Sequence, residues 1–161
     1  MLVPLDHPAL RRKAEPAQIG PSTNALIKKL RKTLKGTTGV GIAAPQIGES
    51  IQVFLLDVPN NPKTTPRLIL NGKSTSLADI RPLAVINPEI QCEGETKTEE
   101  EGCLSLPGTN VPVPRTNRVT LKFLNEDGQL VTLETQGFLA RVIQHEFDHL
   151  QGKLITDFSQ T

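Results

Sequence analysis

Residues 137–150 read GFLARVIQHEFDHL, and this stretch carries the strongest structural signal in the chain. Its apolar residues recur at the three- and four-residue spacing of one helix face: Leu139, Val142, Ile143, Phe147 and Leu150. The glycine at position 152 follows as a terminator. The pattern predicts a helix that buries this face in the core.

Several shorter elements surround this helix in the sequence. Segments 51–57 and 117–124 have the length and apolar pattern of strands, and the turn residues at 125–128 predict a hairpin returning through 129–135. Upstream, 22–35 predicts an amphipathic helix with Ser22 as its N-cap. Strands combined with helices in this arrangement predict an α+β fold: antiparallel or mixed β-sheets packed around the central helix, plus the N-terminal amphipathic helix.

A proline-rich polar segment at 59–82 interrupts this pattern. It predicts an exposed excursion with at most a short strand at 67–70, rather than a domain boundary. We therefore expect residues 1–161 to form a single domain, because the chain has no internal repeat and its length suits one core.

Composition excludes several classes of protein. The chain has 18 Lys plus Arg against 17 Asp plus Glu, a net charge of +1, which argues against a nucleic-acid groove. It has no apolar run long enough for a membrane span and only two cysteines, too few for a disulfide framework. The N-terminus has no secretory pattern, so we expect the protein in the cytoplasm, with an organelle interior or a phage-infected host cell as alternatives. We also expect a monomer.

Two of the three histidines lie four residues apart in the predicted helix, in the sequence HEFDH at 145–149. This spacing places His145 and His149 on one face, where both imidazoles can reach one metal ion. Glu146 then lies beside the water that such an ion binds. A solvated helix face is the alternative interpretation, but two buried histidines would be costly without a shared partner.

The third ligand distinguishes the known classes of HExxH site. A metzincin would place a histidine where Ile155 stands, and a thermolysin-like enzyme would need a glutamate downstream of His149, where none exists. His7 lies far away and precedes a proline, so we expect it to serve a turn. Of the cysteines, Cys92 is expected to be a small buried apolar residue, whereas Cys103 lies in a small-residue turn and is the better candidate.

Three sequence blocks together resemble peptide deformylases. GVGIAAPQ at 39–46, EGCLS at 101–105 and HEFDH at 145–149 match the family's GxGxAAxQ, EGCLS and HExxH motifs in the same order. The resemblance implies a metal-dependent hydrolase that removes the formyl group from the formyl-methionine of nascent polypeptides and releases formate. It also implies that Cys103 completes the metal site formed by His145 and His149.

The resemblance implies roles for further residues. A divalent metal would lower the pKa of its bound water so that hydroxide attacks the formyl carbon, with Glu146 moving the proton. The side-chain amide of Gln46 and the backbone N–H of Leu104 would stabilise the oxyanion. Iron(II) is the expected metal, with zinc, nickel or cobalt as alternatives. The remaining site residues would bind the formyl-methionyl peptide. Its backbone would pair with the segment at Val40 and Gly41 and with Gly102. Its methionine side chain would lie in an apolar pocket formed by Val40, Phe138 and Val142.

Some features stay open at this level. Glu101 could pair with Arg115 or orient a ligating histidine, and Asp148 could instead orient that histidine. Arg141 could line the pocket with its stem while its head reaches solvent or a carboxylate. A zincin peptidase and a non-catalytic metal-containing binder of formyl-peptides are the competing functions. The chain shows no long helix after Phe158, unlike many bacterial members, which leaves transient ribosome docking undecided.

Overall fold

The helix carrying both histidines lies at the centre of the fold, and the computed structural model describes residues 1–159 around it. The helices are α1 (Pro21–Lys35), α2 (Leu77–Ile80) and α3 (Phe138–Leu150), with short 3-10 helices at Pro8–Leu10, Ala44–Ile47 and Ile155–Ser159. The strands are β1 (Gly41–Ala43), β2 (Val53–Leu56), β3 (Leu68–Leu70), β4 (Lys73–Ser74), β5 (Leu83–Cys103), β6 (Leu106–Leu124) and β7 (Leu130–Gln136). The single domain expected over 1–161 stays a prediction, and its last two residues lie outside the described part.

The strands form one seven-stranded sheet in the order β1-β2-β5-β6-β7-β3-β4. The sequence left an antiparallel and a mixed sheet open. Within residues 1–159, every pairing between these strands is antiparallel. The predicted hairpin is confirmed as β6–β7. Its turn closes because the Asn125 side chain accepts hydrogen bonds from the backbone N–H groups of Asp127 and Gln129.

Helix α3 packs against strands from both halves of the sheet, namely β1, β2, β6 and β7. Its Leu139, Ile143 and Leu150 are almost fully buried in the main core, together with Phe54 and Phe123 from the sheet. The predicted α+β fold with a central histidine-bearing helix is therefore confirmed. Apolar burial of this kind is the dominant force that holds a helix on a sheet.

Helix α1 covers a second core on the other side of β2. Leu26, Ile27 and Leu30 face inward, which confirms the predicted amphipathic helix. Its predicted N-cap is wrong: the helix begins at Pro21, and Gly20 caps it without a side-chain hydrogen bond. Proline suits the first helical turn because that backbone N–H would be unpaired in any case. No helix within 1–159 combines the length and the apolar character that crossing a bilayer requires.

The predicted excursion at 59–82 is more ordered than expected. Strand β3 pairs with β7, β4 extends it, and Leu68 and Leu77 are buried. Gly137 explains this close packing, because a Cβ atom there would lie 2.2 Å from the backbone oxygen of Thr64. The proline-rich segment therefore closes over the start of α3.

The part of the sheet that the sequence pattern missed is a long ribbon in which β5 pairs with the first half of β6, upstream of the predicted segment 117–124. From 91 to 100 every residue is solvent-exposed, so the alternation of apolar and polar residues that reveals a half-buried strand is absent. Cys92 lies in this exposed run, so the expectation that it is a small buried residue is wrong. The ribbon ends in the tight Leu104–Ser105 turn, which projects toward α3 and sets up the site described next.

Candidate metal centre

Three potential metal ligands converge from two parts of the chain. His145 and His149 project from successive turns of α3, and Cys103 lies at the end of β5. Their ligand atoms all lie within 4.8 Å of one another, and the Cys103 Sγ atom is 3.4 Å from His149 Nε2. A thiolate with two imidazoles is a soft, tetrahedral type of donor set, which suits zinc or iron(II) and leaves a fourth position open.

The burial of His149 and its lowered pKa indicate that these three residues can bind a metal ion. His149 is almost fully buried, and its Nδ1 atom has no hydrogen-bond partner among residues 1–159. Burial, reinforced by the charges of His145 and Arg115, lowers the pKa of His149 well below its usual range. A buried neutral imidazole with its Nε2 atom facing a thiol can donate its lone pair to a metal, so the three residues fit a divalent ion.

His145 is oriented by a carboxylate. Its Nδ1 atom lies 2.9 Å from Glu101 Oε1. Burial raises the pKa of Glu101, but hydrogen bonds from His145 and Arg115 outweigh burial and lower it to about 2. An ionised carboxylate only accepts, so Nδ1 of His145 carries a proton. Burial lowers the pKa of His145, but hydrogen bonds to Cys103 and Glu101 outweigh it and raise the pKa to about 10, so Nε2 also carries a proton near neutral pH and must release it to ligate a metal.

The alternatives for the surrounding charges are resolved by these contacts. Glu101 both pairs with Arg115 and orients His145, whereas Asp148 pairs with Arg115 at 2.6 Å instead of with a histidine. Arg141 has a buried head that donates to Glu101 at 2.7 Å. Of the two alternatives left open for the head of Arg141, solvent or a carboxylate, the structure has the carboxylate.

Glu146 lies in the same cavity and is buried at 3 % exposure. Burial raises the pKa of its carboxyl to about 7, where it can both accept and return a proton near neutral pH. Its Oε2 atom has no hydrogen-bond partner within residues 1–159. Gly41 makes this position possible, because a Cβ atom at residue 41 would lie only 2.7 Å from Glu146 Oε1.

Gln46 approaches the cluster from the other side. Its side-chain oxygen accepts from the backbone N–H of Ala43, which directs the amide nitrogen toward Ser105 Oγ at 3.1 Å and Cys103 Sγ at 3.7 Å. Ser105 is a contact that the sequence pattern did not single out. Leu104 belongs to the same turn and also faces the cavity.

The cluster opens into a cavity of about 570 Å³. Every predicted site residue except the deeply buried His149 lines it: Val40, Gly41, Gln46, Gly102, Cys103, Leu104, Phe138, Val142, His145 and Glu146. Val142 is buried, whereas Phe138 is 39 % exposed, an unusual fraction for a phenylalanine in a helix that packs on a sheet. Cys92 does not line the cavity, and His7 caps the first 3-10 helix by accepting from the backbone N–H of Ala9, as expected.

The family model for polypeptide deformylase matches residues 1–161. The chain belongs to this family. It is 38 % identical over 158 residues to the peptide deformylase of Methylacidiphilum infernorum, covering 98 % of this chain and 83 % of that protein. The chain is an enzyme, a metal-binding hydrolase of the deformylase type, with a Cys/His/His metal site.

Solved structures agree with the fold. The crystal structure of peptide deformylase from Thermotoga maritima aligns with a TM-score of 0.81 at 38 % identity, covering 98 % of this chain and 95 % of that one. The class I type b peptide deformylase from Acinetobacter baumannii, bound to Met-Ala-Ser, aligns with the same TM-score at 30 % identity, covering 98 % and 96 %. The resemblance that the three motifs indicated is therefore confirmed over nearly the whole chain.

Proposed function

We propose that Cys103, His145 and His149 are the metal ligands of a deformylase that acts on N-formyl-methionyl peptides. The observation that carries this proposal is the convergence of the three ligand atoms beside the buried carboxyl of Glu146 in one cavity. A divalent ion held there supplies Lewis-acid activation of water. The chain's own residues then bind the substrate and move protons.

Glu146 is the general acid and base of this reaction. It accepts a proton from the attacking water as a bond forms between the water oxygen and the formyl carbon. The same carboxyl returns the proton to the amide nitrogen when the C–N bond breaks, which yields formate and a free methionyl amine. A pKa of about 7 suits both transfers, because the group is neither a strong acid nor a strong base at cellular pH.

Gln46 and Leu104 stabilise the negative charge that develops on the formyl oxygen. The amide nitrogen of Gln46 is held toward Cys103 by its own hydrogen bond to Ala43, so its orientation is set before substrate arrives. The backbone N–H of Leu104 is the second donor. Donors fixed in advance are effective because they pay no reorganisation cost at the transition state.

The bound peptide makes two kinds of contact with the cavity, one through its backbone and one through its methionine side chain. Gly41 and Gly102 line the cavity at β1 and β5, where the backbone of an extended peptide pairs with them; such pairing accepts any sequence after the first residue. Val40, Phe138 and Val142 receive the methionine side chain, and the exposure of Phe138 supports this role because a substrate would cover it. The relative bound to Met-Ala-Ser carries a deformylated product-like peptide, which is consistent with this substrate class.

Iron(II) is the metal we propose, in a monomeric enzyme of a reducing compartment such as the cytoplasm. Zinc binds such a set more tightly than iron, so cellular availability rather than affinity has to select iron. Zinc, nickel and cobalt are therefore expected to bind as well. Two free cysteines, one of them exposed on the ribbon, suit a reducing environment. Contact with the ribosome is expected to be transient.

Anaerobic purification with metal analysis and a formate-release assay tests the proposal directly. Formyl-Met-Ala-Ser should release formate, whereas acetyl-Met-Ala-Ser and a peptide offering only internal amides should be poor substrates. Cleavage of the internal amide would instead support a zincin peptidase. Tight formyl-peptide binding without turnover by the metal-loaded protein would support a non-catalytic binder.

A further inference from the structure

Arg141 is a buried arginine whose whole guanidinium is engaged. Its Nη1 donates to Glu101 Oε2 at 2.7 Å and to the backbone oxygen of Val113 at 2.9 Å, and its Nη2 donates to the backbone oxygen of Lys97 at 2.7 Å. The Nε atom lies 3.3 Å from a carboxylate oxygen of Glu99. A single side chain from α3 is thus bonded to both strands of the ribbon.

These contacts complete the environment of Glu101. Its carboxylate accepts from Arg115 Nε and Nη2, from Arg141 Nη1 and from His145 Nδ1, so four donors occupy its two oxygens. Arg115 extends from β6 on the ribbon, whereas Arg141 and His145 both lie on α3, one helical turn apart. Arg141 therefore connects the carboxylate to the helix that carries the histidine.

We propose that Arg141 is a positioning residue for the metal ligand His145, acting through Glu101. Arg115 belongs to the ribbon, and its ion pair holds the Glu101 side chain in place there. Arg141 belongs to α3, and its bonds hold Glu101 and the ribbon in place against that helix. With both in place, the imidazole has one orientation in which its Nδ1–H meets the carboxylate. This inference rests on the metal-ligand set proposed above.

The chemistry of the side chain supports this role over simple pocket lining. A buried charge is costly unless it is fully paired, and an apolar residue would line the cavity wall at no such cost. The forked guanidinium serves Glu101, two backbone oxygens and Glu99 together, which the single ammonium of lysine cannot do. Groups that orient a ligating histidine typically change metal affinity by 10- to 100-fold.

Three variants test the proposal: R141M, which keeps the stem and loses the donors, R141K, which keeps the charge and loses the fork, and R31M as a control. Arg31 lies on α1 and forms a half-exposed ion pair with Glu126, with no bond to the site. Each metal-depleted protein is titrated with Co²⁺, and its visible absorption bands report ligand geometry. Thermal unfolding before loading checks the fold, and kcat and KM are measured with formyl-Met-Ala-Ser.

We expect R141M to bind Co²⁺ about tenfold more weakly than the parent, with shifted visible bands and a lower kcat, and R141K to lie between them. R31M should match the parent in Co²⁺ affinity and spectrum. If R141M does not fold, R141K decides: weaker Co²⁺ binding supports the proposal and parental binding overturns it. Parental affinity and bands in folded R141M, with only KM raised, would make Arg141 a pocket residue and overturn it. Absence of formate release by the parent refutes the proposed function and leaves the Co²⁺ comparison intact.

Discussion

Gly41→Ala tests how closely β1 approaches the proposed acid–base group. The added Cβ atom would lie 2.7 Å from Glu146 Oε1 and 3.1 Å from its Cδ and Cγ atoms, whereas ordinary van der Waals contact begins at 3.4 Å. The carboxylate oxygen must therefore retreat by the difference between 3.4 and 2.7 Å, about 0.7 Å. Because the methyl group points at the carboxylate and the backbone N–H and C=O are kept, peptide pairing should survive.

A displacement of this size acts on the proton transfer. Misplacing a reacting group by about 1 Å can cost on the order of 100-fold in rate, so we expect kcat of G41A to fall by about tenfold to a hundredfold. That range corresponds to about 1.4 to 2.7 kcal/mol of activation free energy. Metal content should stay near the parental value because the three proposed ligands keep their places, and KM should change less than kcat because the methyl group points at Glu146 and leaves unchanged the backbone groups that pair with the peptide.

Gly36→Ala is the matched control for this experiment. A Cβ atom at residue 36 would meet only the backbone oxygen of Thr33, at 3.7 Å, and the residue has an ordinary φ of −82°. It should keep parental kcat. Formate release, metal analysis and thermal unfolding are measured for both variants. If folded, metal-loaded G41A kept the parental kcat, the argument that a Cβ atom at residue 41 displaces the Glu146 carboxyl would be refuted.

Four further outcomes follow from the same structure. Cys103→Ser should lose most of its metal by elemental analysis while Cys92→Ala keeps it, and the reverse pattern would reassign the third ligand. Glu146→Gln should retain metal but lose turnover by about two orders of magnitude or more, and near-parental formate release would mean that another group moves the proton. Air should oxidise Cys103 faster in the iron form than in a nickel or zinc form. Mass spectrometry compares oxidation of the peptide that contains Cys103 with oxidation of the peptide that contains the exposed Cys92. Equal loss of activity in all metal forms would contradict the redox argument. Gly137→Ala should lower the free energy of unfolding by about 1–3 kcal/mol or more, because the φ of 77° disfavours a residue with a Cβ atom and Thr64 leaves no room for that atom. An unchanged denaturation midpoint would contradict this packing.

The proposed metal ligands could be predicted from the sequence because two of them obey a local rule. His145 and His149 are four residues apart on a helix, and the periodicity of the helix itself indicated which face would be buried. The glycines of the first block, at positions 39 and 41, and the HExxH pattern are local signals of the same kind. Short-range geometry is determined by short-range sequence, so these features do not depend on the rest of the fold.

The supports of the site depended on tertiary structure. Two alternatives were open for Glu101 in the sequence, pairing with Arg115 or orienting a ligating histidine, and only the packing of the ribbon against α3 shows that it contacts Arg115, Arg141 and His145 at once. Cys92 was expected to be buried because a lone cysteine is most often a small buried apolar residue, yet it lies on an exposed ribbon. The ribbon is stabilised by backbone pairing between β5 and β6, and residues 91–100 of β5 are exposed throughout, so this stretch has no apolar period although β6 buries Val111 and Val113 opposite its end. Contacts between residues distant in the chain arise from how whole elements pack, and no local pattern records them.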